Sequence, residues 1–217
     1  MQTKKTLPLI HNYRASSLSE KAPAIIMLHG YGSNEDDLFS FAPELPEEYA
    51  ILALKAPLSL QGMGNAWYTI HFDTSDNTKF NNIEEAIKAR ELIVETIDDA
   101  IESYNLDSEN ITLLGFSQGT ILSLAVGLSY PEKIKRIVAL SGYLAKDMLV
   151  DGYSDKDYSH LDVFHSHGTE DAIIPVQWAR DAQESLKELQ IKSVYNEYPI
   201  GHGVSPQNFY DFRKWLG

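Results

Sequence analysis

Alternating strand-like and helix-like segments predict an α/β fold, a mostly parallel central sheet with helices on both faces. Two observations carry this expectation. Runs such as Ile25-Ile26-Met27-Leu28 and Ile137-Val138-Ala139-Leu140 are apolar without interruption, as strands buried on both faces must be. Between such runs lie longer segments with helical periodicity, clearest where Ile83, Ile87, Val94, Ile97, Ile101 and Tyr104 recur at three-, four- or seven-residue steps. The predicted strands are 24–28, 50–54, 111–114, 137–140, 163–167 and 194–198, with 7–13 as an antiparallel edge strand. The predicted helices are 82–104, 35–41, 118–128, 175–189 and 206–216. Residues 56–80 and 141–160 read as irregular, and long loops in small domains are often functional.

Length suits a single domain spanning 1–217 with a sizeable core. No repeat, low-complexity tract or linker divides it, and too little chain remains for a large lid domain. The net charge of −13 disfavours nucleic acid and anionic membranes as partners. The chain contains no cysteine, which excludes disulfide frameworks, thiolate metal sites and a cysteine nucleophile. The N-terminal segment has two lysines but too short an apolar run for a signal peptide, and no run reaches membrane-spanning length. Stable membrane insertion is therefore not expected, a cytoplasmic location is, and a homodimer stays open.

The most informative motif is Gly115-Phe116-Ser117-Gln118-Gly119, between the strand candidate 111–114 and the apolar helix candidate that follows. Strand, sharp turn and helix form a nucleophile elbow, which lifts a serine hydroxyl above the sheet edge. An ordinary βα turn whose serine caps a helix has the same local pattern. Partners discriminate between the two, because a serine needs a base, and the base an orienting acid. In this architecture they follow in the order serine, acid, histidine. Among the histidines after Ser117, His202 stands in Gly201-His202-Gly203, past one strand and before a helix. Asp171 lies in the loop beyond strand 163–167, as does its rival Glu170; Asp171 could also serve as a plain helix cap.

A fourth element is a pair of backbone donors for an oxyanion. One is the N–H of Gln118, the residue after the nucleophile. The other comes from the early loop His29-Gly30-Tyr31-Gly32, where the N–H of Tyr31 is the candidate. His165-Ser166-His167 places two imidazoles on one strand face, yet no third ligand at suitable spacing is evident. Gly62-Met63-Gly64 lacks the third glycine and helix of a dinucleotide fingerprint. Neither a metal nor another cofactor is expected.

The segments 28–32, 115–119, 167–171 and 201–202 together resemble the phospholipase/carboxylesterase family of α/β-hydrolases, which includes acyl-protein thioesterases and bacterial carboxylesterases. The resemblance runs from about residue 24 to residue 215. It implies Ser117 as nucleophile, Asp171 as acid, His202 as base, and Tyr31 and Gln118 as oxyanion donors. It also implies that the loop carrying Met63, Trp67 and Tyr68 borders the substrate. Trp67, Tyr68 and Trp178 could each line an acyl pocket, although aromatic residues are more often plain core, and the resemblance singles out Trp67. Tyr31 stands where many members have leucine and Ser33 where many have aspartate, so long-chain or protein-lipid preference is not carried over. The expected activity is hydrolysis of small-molecule esters with small or medium acyl chains, with a thioesterase or lysophospholipase as the alternative. A non-catalytic binder that kept the fold accounts poorly for the three partners.

Overall fold

The computed structural model describes residues 5–73 and 78–217. Its strands are β1 (His11–Arg14), β2 (Ala22–Leu28), β3 (Ala50–Leu54), β4 (Leu58–Ser59), β5 (Asn65–Ala66), β6 (Ile70–Asp73), β7 (Thr78–Asn81), β8 (Leu106–Phe116), β9 (Arg136–Leu140), β10 (Asp162–Gly168) and β11 (Lys192–Tyr198). Its helices are α1 (Glu35–Phe39), α2 (Ile83–Tyr104), α3 (Gln118–Ser129), α4 (Val176–Glu188) and α5 (Pro206–Leu216).

Seven strands form the main sheet in the order β1-β3-β2-β8-β9-β10-β11, with only β1 antiparallel to its neighbour. Side chains alternate across each strand, so the sheet separates two apolar layers. Ile26 and Leu28 of β2 pack with residues of α2, α3 and α4, while Ile25 and Met27 pack with Leu38 of α1 and Phe212 of α5. Every residue of α3 is buried, because the helix is enclosed between the sheet and α2. Its sequence is accordingly apolar on nearly all sides.

Helix ends follow local chemistry. The side chain of Asn82 accepts from the N–H of Glu85 at the start of α2, and Asn105 closes the helix in the left-handed conformation. The side chain of Ser205 caps α5 ahead of Pro206.

The structure revises three expectations. The edge strand begins at His11 rather than residue 7, since Pro8 has no N–H to give to a ladder. The first helix stops at Phe39 and continues, through Pro43, as a 3-10 turn at Ala42–Glu44. Most notably, residues 56–80 are not irregular throughout: β4 pairs with β5, and β6 with β7, as two small antiparallel sheets. The β4–β5 turn needs left-handed backbone at Gln61, Gly62 and Gly64, whereas the strands are too short and polar to announce themselves. Residues 74–77 of that stretch lie outside the described residues. In 141–160 the structure has 3-10 turns at Lys146–Met148 and Tyr153–Asp155.

Chain order reverses between β2 and β8, and in open parallel sheets the crevice beyond such a reversal is where ligands bind. The loops after β2, β8, β10 and β11 all open at this end.

Candidate active site

Ser117 sits between the last residue of β8 and the first of α3, with φ 54 and ψ −116. For a side chain bearing a Cβ this is strained backbone, the kind that persists only when the surroundings enforce it. They do: Ser117 N–H donates to Leu140 O at 2.9 Å, anchoring the turn to β9. The Thr120 hydroxyl lies 2.7 Å from Gly115 O and accepts from Leu140 N–H at 2.9 Å. The flanking glycines have a steric cause. A Cβ on Gly119 would overlap the Leu28 carbonyl, and one on Gly115 would strike Gly119 O and Ser123 Oγ.

Loops from β10 and β11 bring the other two residues to the serine. His202 Nδ1 lies 2.7 Å from Asp171 Oδ2, and His202 Nε2 lies 2.9 Å from Ser117 Oγ. An ionised carboxylate only accepts, so Nδ1 carries the proton and Nε2 is free to accept from the hydroxyl. Phe116 packs on the imidazole with ring centroids 5.0 Å apart. The second oxygen of Asp171 accepts from the N–H groups of Ile173 and Ile174 at 2.8 and 2.9 Å. Burial pushes this carboxyl up, but the bonds from Ile174, His202 and Ile173 outweigh it and hold it below the ordinary aspartate range. Glu170 is exposed, and its backbone N–H is tied to Ile200 O. The geometry thus brings Asp171, not Glu170, to the imidazole.

The loop after β2 is set by His29. Burial lowers its pKa, favouring the neutral ring. Nδ1 donates to Gly30 O at 2.7 Å, and Nε2 accepts from Ala56 N–H at 3.1 Å. Because a trans peptide points its N–H opposite its C=O, tethering Gly30 O also sets the direction of the Tyr31 N–H. Gly32 N–H donates to Asn65 O and Asn65 N–H to Ser33 O, which fastens this loop to β5. Among the described residues, the N–H groups of Tyr31 and Gln118 make no hydrogen bond to the protein. For Gln118 this follows from its place in the first turn of α3.

A cleft of about 410 Å³ opens above Ser117 and His202. Tyr31, Tyr68, Ile121, Tyr143, Ile173 and Trp178 form much of its wall. Of the three residues expected to border substrate, Tyr68 is among those that line this cleft. Met63 is 70% exposed and is not part of the cleft lining, while Trp67 is 1% exposed and belongs to the scaffold. Its ring N–H donates to His29 O at 2.9 Å, and its backbone N–H to Gln118 Oε1 at 2.8 Å. Gln118 Nε2 in turn donates to Tyr68 O, so one side chain clamps two consecutive residues, the buried Trp67 and the cleft-lining Tyr68. Trp178, which the sequence leaves open between pocket and core, lines the cleft. Tyr143 was also missed, although its position just beyond the end of β9 is a signal of the same kind as that of Ser117.

The paired imidazoles of β10 have protein partners. His165 Nε2 donates to Gly142 O at 3.2 Å and Nδ1 accepts from Gln183 at 2.8 Å. Complete burial pushes its pKa down to about 4. His167 Nε2 lies 2.8 Å from Ile174 O. Among the described residues no group of three or more side chains is arranged to hold a metal ion. Nor, among them, is any helix long and apolar enough to cross a membrane.

Comparison with known proteins identifies the lineage. A family profile described as Phospholipase/Carboxylesterase matches residues 14–217. The chain belongs to this family. Acyl-protein thioesterase 1 of Candida albicans is 28% identical over 219 residues, covering 93% of this chain and 94% of its own. Acyl-protein thioesterase 1 of Kluyveromyces lactis is 36% identical over 159 residues, covering 70% of this chain and 67% of its own. In fold, the chain matches the carboxylesterase of Bacillus cereus with a TM-score of 0.81, at 20% identity and covering 96% and 93% of the two chains. This phospholipase/carboxylesterase family member is an esterase-type hydrolase with an α/β-hydrolase fold.

Proposed function

We propose that this family member is a serine hydrolase that cleaves carboxylic esters of small or medium acyl chains through an acyl-enzyme. The reading rests chiefly on one observation, the unbroken relay from Asp171 through His202 to Ser117, with contacts of 2.7 and 2.9 Å. Ser117 Oγ attacks the ester carbonyl as His202 Nε2 takes its proton. Asp171 holds the ring and stabilises its cationic form. The N–H groups of Tyr31 and Gln118 receive the developing oxyanion, where losing one donor typically costs on the order of a hundredfold or more in rate. His202 then protonates the leaving alcohol, and water repeats the sequence to release the acid and free serine. No cofactor enters this cycle.

A cleft of about 410 Å³ with apolar and aromatic walls supports a small-molecule ester as substrate. The names of the Candida and Kluyveromyces relatives favour a second reading, thioester hydrolysis with the same groups. A chain-length series of matched oxygen esters and thioesters separates the two. A cytoplasmic site of action is part of the proposal, and cell fractionation tests it.

The decisive experiment is reaction with an activated ester followed by mass spectrometry, run on the native chain and Ser117→Ala. The acyl group should appear on Ser117, and the variant should lose the burst while keeping its fold. Unchanged turnover in Ser117→Ala would rule the mechanism out.

A further inference from the structure

We propose that His167 is a positioning residue, which holds Asp171 in line with His202 through the loop that joins the acid to the cleft wall. The inference rests on the relay reading above.

His167 and Asp171 side chains are both fully buried, with His167 Nε2 3.2 Å from Asp171 Oδ2, the same oxygen that faces His202. The nearer partner of His167 Nε2 is Ile174 O, at 2.8 Å. A carbonyl and an ionised carboxylate can only accept, so the proton of His167 sits on Nε2. Its N–H donates to Ile174 O, and its dipole stands beside the carboxylate. The other nitrogen, Nδ1, is buried without a partner. An orphaned buried polar atom is costly, and an apolar side chain in this core would avoid it. The imidazole therefore has its use at Nε2.

That use is visible in the loop. Ile174 gives its N–H to Asp171 Oδ1 and receives the N–H of His167 on its own carbonyl. Acid, Ile174 and imidazole thus close a small ring of contacts. Ile173 and Ile174 also line the cleft, so the same clamp sets one wall. Other charged groups near His167 are otherwise engaged. Glu197, opposite it in the β10–β11 register, is bound by Arg180 through both carboxylate oxygens at 2.7 and 2.8 Å. His165 is turned to Gly142 and Gln183.

Without the Nε2–H, Ile174 O and Asp171 Oδ2 would face an apolar group in a closed space. The loop would relax to satisfy them, and reacting groups must be held to within about 0.5 Å to work.

Gln and Met are of similar size, and only Gln offers an N–H. We expect His167→Met to lower kcat tenfold or more on a chromogenic ester, with KM changing less than threefold. His167→Gln should recover most of that loss, and thermal unfolding should find both variants folded. In an Asp171→Asn background, His167→Met should cost nothing further, because the acid it positions no longer works. Equal losses in Met and Gln, or a full additional loss in that background, overturn the proposal. Intact turnover in Asp171→Asn by itself would instead bring down the relay reading beneath it. A measurement on the native chain stands apart from variant folding: nitrogen-15 NMR of histidine should find the Nε2–H tautomer at His167, and an Nδ1–H tautomer refutes the inference.

Discussion

The floor and the walls of the cleft are built in different ways. The floor consists of Ser117, His202 and Asp171, each within four residues of the end of a main-sheet strand. Its backbone is locked to neighbouring strands, as in the Ser117 N–H to Leu140 O bond. The walls draw on Tyr31, Tyr68, Ile121, Tyr143, Ile173 and Trp178, from loops and helices far apart in the chain. Tyr31, Ile173 and Trp178 are 41, 55 and 41% exposed, in contrast to Ser117 at 9%. The floor is therefore suited to reproducing one geometry, while the exposed wall side chains of Tyr31, Ile173 and Trp178 have more room to change. Chemistry should be brittle to substitution here, and specificity pliable.

The floor offers the largest effects. Asp171→Asn should lower kcat by on the order of a thousand- to ten-thousandfold, because the amide disfavours the tautomer His202 needs. Steady-state kinetics on an activated ester checks this. A loss of less than tenfold would mean that the floor tolerates change as the walls do.

Beneath the wall, His165 makes a prediction about pH. Its pKa falls from 6.5 to about 4 in the fold, chiefly through burial. Between those values the unfolded chain binds a proton that the folded chain refuses. The neutral imidazole's contribution is thus retained above about 6.5 and lost as pH falls toward 4, a change of roughly 3 kcal/mol. Urea unfolding of the native chain and His165→Gln at pH 7.5 and 4.5 should show a smaller acid loss in the variant. Equal losses would remove His165 as a pH-sensitive anchor of Gly142, the neighbour of Tyr143.

Gln118 joins the two regions, since its backbone belongs to the elbow and its side chain clamps Trp67 and Tyr68. Gln118→Leu leaves two buried backbone groups unsatisfied, each costing about 1–3 kcal/mol. It should lower kcat/KM about tenfold and lower the melting temperature, with the acylated residue unchanged. Preserved kcat/KM and stability would uncouple wall from floor.

The smallest effects test the walls alone. Trp178→Ala should change the ratio of kcat/KM for hexanoyl over acetyl esters by about three- to thirtyfold, within the range a pocket contact supplies. Met63→Ala should leave that ratio within twofold, since Met63 lies outside the cleft wall. The reverse ranking in an ester series would return Met63 to the binding site.

The same contrast explains what could be read from the chain. Ser117, Asp171 and His202 lie in short motifs just beyond predicted strands, so neighbours in sequence point to both the fold and the candidate residues. Trp67 and Trp178 show the limit. Both are large aromatic residues near predicted loops, yet one supports His29 and Gln118 from the interior and the other faces the cleft. Nothing in the flanking residues distinguishes them. Likewise β6 and β7 carry polar residues with no apolar run, and the pairing partner supplies the regularity their own sequence lacks.

Local order in the chain, through apolar runs, caps and the glycines of the elbow, was enough to predict an α/β sheet and the candidate serine, acid and histidine in that order along it. Tertiary structure alone decided which carboxylate meets the imidazole, which aromatics line the cleft, and which groups His167 contacts. The physical reason is reach: strand and elbow geometry is dictated within a few residues, whereas cleft walls and buried polar contacts join groups from distant segments whose approach depends on how the whole sheet and its helices pack.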